Sequence, residues 1–115
     1  IKGNLVKDGA HLDLVGAFNA QMRETDDTAV LRSRVFVDTF AGALKEGGDI
    51  VQPINAGVIS AGHIEGELAM LISGESAGRR SDDEITMFKS VGAALEDLAA
   101  GILIEKRFQA SKRAF

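Results

Sequence analysis

One stretch, residues 85–97, constrains the fold more than any other part of the chain. It passes from a short apolar run, residues 85–88, through Lys89 and Ser90 into a long helical pattern. This order is typical of a strand, a polar turn and a helix. Such a turn brings a lysine, a hydroxyl group and the open amides of a helix start to one point, which is a usual place for an anionic or dinucleotide ligand. Lys89 and Ser90 are therefore candidate ligand-binding residues.

A first strand-to-helix repeat lies near the start of the chain. Within residues 10–16, the apolar residues Ala10, Leu12 and Leu14 recur at every second position, which predicts a strand that ends at Gly16. A polar loop follows, and Asp26 or Asp27 can cap a short helix that runs to Arg32. The order of strand, loop and helix favours an α/β fold.

A second repeat follows directly. Residues 35–38 form an apolar run closed by a carboxylate, which predicts a brief strand. Residues 39–46 have a helical composition, and Gly47 and Gly48 are expected to end that helix as its C-terminal cap. Two such repeats before residues 85–97 strengthen the α/β prediction.

The middle of the chain is less regular. Residues 49–62 contain the only proline, which predicts a loop or a short helical turn. Apolar residues recur at helical spacing from Ile64 to Ile72, which predicts a helix that ends before Gly74. Residues 74–83 are rich in glycine, serine and charge and are expected to form a loop.

The last predicted element is the longest. Apolar residues after Ser90 step by four, three and four positions, which places them in one stripe along a helix: Val91, Leu95, Leu98 and Ile102. Acidic residues lie early in this segment and basic residues late, which suits the helix dipole.

Composition excludes several classes of function. The chain has no cysteine, so it has neither a disulfide nor a thiolate nucleophile, and a cytoplasmic location agrees with that absence. The net charge of −4 gives no general attraction to nucleic acid. No apolar run approaches the roughly 20 residues that cross a bilayer. We expect neither nucleic acid nor a membrane as a partner.

The isolated polar residues predict no metal site. His11 and His63 lack nearby carboxylates at ligand spacing, so both are interpreted as ordinary strand or surface residues. The acid pairs at 26–27 and 82–83 are interpreted as helix caps or loop charges. The dinucleotide fingerprint Gly-x-Gly-x-x-Gly does not occur, so the pyrophosphate of a dinucleotide would bind outside these residues.

Two candidate ligand segments remain. Residues 15–18 follow the first strand, where open α/β sheets bind ligands, and Gly16 would let a ligand approach the backbone. The alternative is a plain turn glycine. Residues 89–92 form the second segment, where the alternative is that Ser90 only caps a helix.

Several segments resemble the ornithine cyclodeaminase/μ-crystallin family. Residues 9–17, Gly-Ala-His-Leu-Asp-Leu-Val-Gly-Ala, are similar to the family's G-x-H segment, and Arg23 and Glu24 follow at the usual place. Residues 86–97 give the strongest match. Three shorter segments match in the family's order: residues 35–38, 44–50 and 66–68. The resemblance therefore extends over nearly the whole chain.

The resemblance implies a dimeric enzyme with a Rossmann domain inserted into a substrate and dimerisation domain. Residues 1–89 would form the C-terminal part of the Rossmann-like NAD(P)-binding domain. Residues 90–115 would form a helix that returns to the substrate and dimerisation domain, so the stripe that starts at Val91 would pack on protein outside this chain. The chain also starts at Ile1 rather than Met. We therefore expect a C-terminal portion of a longer protein, inactive by itself.

Phe18 indicates a branch of the family. Cyclodeaminases and the related alanine dehydrogenases carry an aspartate at this place, available for proton transfer, whereas a phenyl ring cannot relay a proton. The sequence around Gly16, Ala17 and Phe18 is similar instead to bacterial Δ1-pyrroline-2-carboxylate/Δ1-piperideine-2-carboxylate (ketimine) reductases. This resemblance implies reduction of a cyclic imine to L-proline or L-pipecolate with NAD(P)H as cofactor.

The resemblance also implies where the bound molecules lie. Four residues would lie beside the nicotinamide ribose: Val15, Gly16, Ala17 and Phe18. Four others would lie near the nicotinamide ring and the substrate: Lys89, Ser90, Val91 and Gly92. Glu46 matches a recurrent family glutamate and, with Ser90, is expected to face the substrate. No residue of this chain is assigned a catalytic role.

Two other functions stay open at this stage. One is an ornithine cyclodeaminase, which would convert ornithine to proline and ammonia. The other is a non-catalytic protein of the μ-crystallin type that binds NADP or a hormone. Binding of NADP or a hormone without turnover would distinguish the μ-crystallin type of protein from the reductase and the cyclodeaminase.

Overall fold

Residues 1–112, which the computed structural model describes, are organised around a four-stranded parallel sheet. The strands are β1 (His11–Leu14), β2 (Ser33–Val37), β3 (Ile64–Glu67) and β4 (Ile85–Lys89). They lie in the order β1-β4-β2-β3, and each neighbouring pair is parallel. The helices are α1 (Asp27–Arg32), α2 (Phe40–Glu46), α3 (Gly48–Asn55), α4 (Leu68–Ser73) and α5 (Ala94–Lys112). The predicted α/β class is confirmed.

The core lies on the two interior strands. Val35 and Val37 of β2 and Met87 of β4 are fully buried. Val30 of α1 and Ile50 of α3 are buried with them in one cluster. Interior strands of a parallel sheet are covered on both faces, so their apolar residues run nearly continuously instead of alternating with polar ones.

The strands end together at one edge of the sheet. Lys89 at the end of β4 pairs in register with Leu14 of β1 and with Val37 of β2, and Val37 pairs with Glu67 of β3. Residues that follow these strands therefore gather at this edge, which we call the carboxyl edge. Open parallel sheets bind their ligands outside this edge.

The predicted strands β1, β2 and β4 and the predicted helix α1 are confirmed. Of the two possible caps for α1, Asp26 is the one used, since its carboxylate accepts a hydrogen bond from the Ala29 amide at 2.9 Å. Thr39 caps α2 by accepting from the Gly42 amide at 3.2 Å. Local capping chemistry was thus sufficient to predict where α1 begins, and α2 lies within the helix predicted from composition over residues 39–46.

The prediction of a loop or short turn over residues 49–62 was wrong for its first half. Helix α3 begins at Gly48, directly after α2, and contains Pro53. The proline removes one backbone hydrogen bond, but Pro53 and Ile50 are buried, and tertiary packing outweighs local propensity. Gly47 is the C-terminal cap of α2, as predicted, but it lies at φ −75° rather than in the left-handed region, and it joins α2 to α3. Gly48 is the first residue of α3 instead of part of the cap.

The predicted helix from Ile64 was also wrong in its first turn. Ile64 and Gly66 are buried and Glu65 is exposed, and this alternation forms β3 on the open edge of β2. Helix α4 occupies only Leu68–Ser73 and ends at Gly74, which has the left-handed φ of +80°. A spacing of four residues suits both a helix and a strand, which is why Ile64 and the following leucine misled the prediction.

The long helix was predicted from about Ser90 but begins at Ala94. Residues 90–93 are non-helical, so Ser90 does not cap α5. Every residue of α5 is exposed, including the predicted stripe residues Leu98 and Ile102, and no helix in residues 1–112 is long and apolar enough to span a membrane. Residues 113–115 of the predicted helical segment lie outside the described residues. The domain boundary after residue 89 stays a prediction.

Candidate functional site

The carboxyl edge brings together the two segments that the sequence indicated. The Ser90 amide donates to the Leu14 carbonyl at 2.9 Å, which extends the β1–β4 pairing and sets residues 90–92 beside residues 15–18. Ala17 is buried, whereas Val15 and Phe18 are 62% and 58% exposed. This part of the edge thus presents apolar side chains to the outside of the described chain.

Lys89 does not lie on that surface. Its side chain is 0% exposed, and its ammonium group donates to Glu24 Oε2 at 3.0 Å. Asp49 Oδ2 lies 3.6 Å from the same ammonium. The charge that the sequence offered to a ligand is therefore neutralised inside the protein by two carboxylates.

Glu24 connects this buried charge to the backbone of the loop after β1. Its Oε2 atom also accepts a hydrogen bond from the Ala17 amide at 2.9 Å. Burial raises the pKa of Glu24, but the Ala17 amide and the Lys89 ammonium together lower this pKa by more than burial raises it. The pKa of Glu24 therefore lies below its ordinary value. A Cβ atom at Gly16 would lie 2.8 Å from Glu24 Oε1. A side chain at position 16 would therefore require the Glu24 carboxylate to shift.

Asp49 fixes the far end of the same loop. It is 0% exposed, and its Oδ1 atom accepts from the Glu24 amide at 2.9 Å, the Thr25 amide at 2.8 Å and the Thr25 hydroxyl at 2.6 Å. Its Oδ2 atom has no hydrogen-bond partner among the described residues and faces Lys89. Three elements thus meet at one ion cluster: β4, the loop after β1 and the first turn of α3.

The start of α3 also packs tightly against this loop. A Cβ atom at Gly48 would lie only 1.8 Å from the Met22 carbonyl oxygen. One turn later, the Gln52 side chain donates to the Ala20 carbonyl at 3.0 Å. The loop over residues 16–25 is therefore held at several points along its length.

Asp38, directly after β2, holds the segment that leaves β4. Its Oδ2 atom accepts from the Ser90 hydroxyl at 3.0 Å, the Val91 amide at 2.7 Å and the Gly92 amide at 2.9 Å. Its Oδ1 atom accepts from the Thr39 amide at 2.7 Å. Burial raises the pKa of Asp38, but these four hydrogen bonds favour the charged form, so the pKa lies below its ordinary value.

The amides at positions 91 and 92 are therefore not open donors, contrary to the prediction of a helix start there. Gly92 has a left-handed φ of +87°, and a Cβ atom there would have no heavy atom within 4 Å. The segment is fixed by the carboxylate of Asp38 but borders free space. It can accommodate a neighbouring group that needs room rather than charge.

Glu46 lies apart from the ion cluster. Its side chain is exposed near the end of α2 and pairs with Lys45 at 3.6 Å. The end of α2 nevertheless borders the second segment, since a Cβ atom at Gly47 would lie 3.4 Å from a methyl group of Val91. The structure brings the helix of Glu46 to the site without showing a contact of its carboxylate there.

The residues of the carboxyl edge fit the nicotinamide riboside end of a dinucleotide better than its pyrophosphate. Three carboxylates lie at this edge, and two of them, from Glu24 and Asp49, neutralise the Lys89 ammonium. The third, from Asp38, binds the Val91 amide. A phosphate would find no free positive charge in this cluster. Exposed apolar side chains, and the open space where a side chain at Gly92 would lie, suit a flat ring and a sugar.

The described residues contain no group of three or more His, Asp or Glu side chains that could hold a metal ion. His11 Nδ1 lies 2.8 Å from the Thr86 hydroxyl, and His63 Nε2 lies 2.9 Å from the Val30 carbonyl oxygen. Both histidines thus have ordinary hydrogen-bond partners within the fold.

Sequence reasoning missed Glu24, Asp38 and Asp49 as site residues. Asp38 had a detectable signal, because a carboxylate directly after a buried parallel strand lies at the ligand-binding edge. Asp49 had none, because its hydrogen bonds join residues 24 and 25 positions apart in the chain. Its role became visible only when α3 was in place.

Comparison with known proteins finds similar structures that contain a nicotinamide cofactor. The structure is similar to that of Thermococcus litoralis Δ1-pyrroline-2-carboxylate reductase in complex with NADH and L-proline, with a TM-score of 0.87 and 41% identity over 96% of this chain and 35% of that one. An archaeal alanine dehydrogenase dimer with bound NAD is similar at a TM-score of 0.86 and 28% identity, over 97% of this chain and 35% of that one.

The sequence itself has a similar relative in the Δ1-pyrroline-2-carboxylate reductase of Colwellia psychrerythraea. The two are 44% identical over 105 residues, which make up 90% of this chain and 33% of the relative. The chain thus spans about one third of the length of the proteins that it matches. The sequence profile of the ornithine cyclodeaminase/mu-crystallin family matches residues 1–112. The predicted resemblance is confirmed: the chain belongs to the ornithine cyclodeaminase/mu-crystallin family.

Proposed function

We propose that this chain is part of an NAD(P)H-dependent reductase of cyclic imines. The substrates would be Δ1-pyrroline-2-carboxylate or Δ1-piperideine-2-carboxylate, and the products L-proline or L-pipecolate. One observation carries the proposal: the likeness, at a TM-score of 0.87, to an enzyme of this activity whose structure contains NADH and L-proline. Phe18 supports it, because this position then needs no proton-transferring carboxylate.

The carboxyl edge would hold the nicotinamide riboside part of the cofactor. Residues 15–18 would lie against the ribose, with the exposed Val15 and Phe18 side chains supplying apolar contact. Residues 90–92 would lie beside the nicotinamide ring, where Gly92 leaves room. The bound cofactor supplies a hydride from the nicotinamide C4 atom. The chain's own contribution is to orient cofactor and substrate and to exclude water.

Ser90 would contact the substrate as a hydrogen-bond acceptor. Its hydroxyl proton is donated to Asp38 Oδ2 at 3.0 Å, and its oxygen already accepts from the Gly92 amide at 3.1 Å. A hydroxyl oxygen has two acceptor sites, so one is left for a donor such as the N–H group of a protonated imine. Glu46 would face the same substrate from the end of α2.

The wider architecture is part of the proposal. Residues 1–89 would belong to the nucleotide domain, and α5 would pass to a substrate and dimerisation domain. The complete exposure of α5, with Leu98 and Ile102 uncovered, supports this assignment, because a helix with several exposed apolar residues is usually covered by further protein. A homodimer is proposed by analogy with the archaeal alanine dehydrogenase. A cytoplasmic location stays a prediction.

The test is a steady-state assay of the full-length protein. Oxidation of NADH or NADPH that depends on Δ1-pyrroline-2-carboxylate, with formation of L-proline, is the expected result. A parallel incubation with ornithine monitors proline and ammonia, and a titration monitors cofactor binding. Conversion of ornithine would support a cyclodeaminase instead. Cofactor binding without any turnover would support a μ-crystallin-like binding protein.

A further inference from the structure

Lys89 differs from the other lysines of residues 1–112, all of which are exposed. A buried ammonium persists only when carboxylates neutralise it. Its exposure is 0%, and further protein or ligand packed onto the same conformation can only cover the surface more. A bound molecule therefore cannot contact this ammonium unless the loop moves. Any role of Lys89 in ligand binding must pass through the groups that it touches.

Glu24 is the group that faces the ligand side. Its side chain is 31% exposed, and the same Oε2 atom accepts from Lys89 Nζ at 3.0 Å and from the Ala17 amide at 2.9 Å. The opposite oxygen lies so close to Gly16 that a Cβ atom there would displace the Glu24 carboxylate. Lys89 thus holds Glu24, and Glu24 holds the backbone at positions 16 and 17.

Asp49, in the first turn of α3, is the third member of the ion cluster. It binds the Glu24 and Thr25 amides with one oxygen and faces Lys89 with the other. One positive charge thus lies between two carboxylates, and one of these is fully buried. Removal of the positive charge would leave two adjacent negative groups, which favours separation of the loop from α3.

We propose that Lys89 is the positioning residue of the nicotinamide-nucleotide site, and that it fixes residues 15–18 through Glu24 without touching the nucleotide. This inference rests on the proposed function, because it takes residues 15–18 as the surface against which the nucleotide lies. A displaced loop weakens the binding of the nucleotide in the ground state. Once the site is saturated with nucleotide, the rate of the hydride step depends less on the position of this loop.

The experiment uses the full-length protein and four variants: Lys89→Met, Glu24→Gln, the double variant and Lys7→Met. Lys7→Met is the matched control, because Lys7 is exposed and lies before β1, at the opposite edge of the sheet. The dissociation constant for NADH, or for NADPH if it binds more tightly, is measured by titration without imine. Steady-state kcat and KM, together with thermal unfolding, are measured alongside.

Lys89→Met and Glu24→Gln are each expected to raise the dissociation constant for the cofactor about tenfold. The kcat at saturating cofactor should change by less than about threefold, and Lys7→Met should match the parent protein. The double variant should bind the cofactor no more weakly than the single variant that has the higher dissociation constant, since the two residues act as one unit. Glu24→Gln alone carries the test if Lys89→Met does not fold.

Three results would overturn the inference. The first is an unchanged dissociation constant with only a lower unfolding temperature, which would make the cluster purely structural. The second is strictly additive losses in the double variant, which would separate Lys89 from Glu24. The third is a raised KM for the imine without a change for the cofactor, which would assign Lys89 to the substrate.

The outcomes also separate this inference from the proposed function. A parent protein that binds NADH but does not reduce the imine refutes the reductase activity, while the dissociation constants of the variants still decide the role of Lys89. A parent protein that reduces the imine with variants of unchanged cofactor affinity refutes the inference alone. A parent protein that binds neither NADH nor NADPH overturns both.

Discussion

The amide of Val91 donates to the carboxylate of Asp38 at 2.7 Å, across 53 positions of the chain. This contact joins the end of β2 to the segment that leaves β4. The same carboxylate also holds Ser90 and Gly92. The shape of the candidate nicotinamide site is thus fixed by hydrogen bonds within the chain.

Replacement of Asp38 by asparagine is expected to destabilise the full-length protein by about 2–3 kcal/mol, because hydrogen bonds to a charged, buried acceptor are lost and an amide NH₂ group would face the backbone amides. Chemical denaturation measures this difference. Asp13→Asn is the control, since Asp13 is exposed on β1 and should change stability by less than about 0.5 kcal/mol. Equal stabilities of the two variants would contradict the role given to Asp38.

Acid should destabilise the protein through Glu24 and Asp38. Both carboxyl groups have pKa values below their ordinary values of 4.5 and 3.8, so their stabilising effect is complete above those values and is lost as pH falls through the lower pKa values of the folded state. Unfolding midpoints measured across this acidic range should fall in the parent protein. Asp38→Asn and Glu24→Gln should each make the unfolding midpoint less dependent on pH. A parent protein whose midpoint does not change in acid would contradict this prediction.

Gly48→Ala tests the tight packing of α3 against the loop after β1. The added Cβ atom would lie 1.8 Å from the Met22 carbonyl oxygen, so the loop or the helix must shift, at a cost of about 2 kcal/mol or more. Gly62→Ala is the control, because a Cβ atom there meets its nearest neighbour at 3.6 Å, an ordinary contact. Thermal unfolding should distinguish the two alanine variants. Equal midpoints would mean that the loop is not held as described.

Phe18→Ala separates cofactor binding from stability. The Phe18 side chain is 58% exposed, so its removal should change the free energy of unfolding by less than about 0.5 kcal/mol. Loss of its contact area should raise the KM for the nicotinamide cofactor about fivefold to tenfold. Ile72→Ala removes an exposed side chain from α4 and should leave both quantities unchanged. A cofactor KM that stays constant in Phe18→Ala would remove residues 15–18 from the site.

The limits of sequence-based prediction follow from the range of the interactions. The cap of α1 was predictable because Asp26 and Ala29 are three residues apart. The strand β3 was not, because Ile64–Glu67 is short and acquires its alternation only by pairing with β2. The burial and pairing of Lys89 were not predictable for the same reason, since its partners lie 65 and 40 positions away in sequence.

The carboxyl edge is proposed to bind the nicotinamide riboside while Lys89 stays buried behind it. A crystal structure of the full-length protein with NADH tests this most directly. The predicted result has the nicotinamide riboside in contact with residues 15–18 and 90–92, and Lys89 Nζ still paired with Glu24. A nucleotide bound at another surface, or a direct contact between NADH and the Lys89 ammonium, would contradict the account.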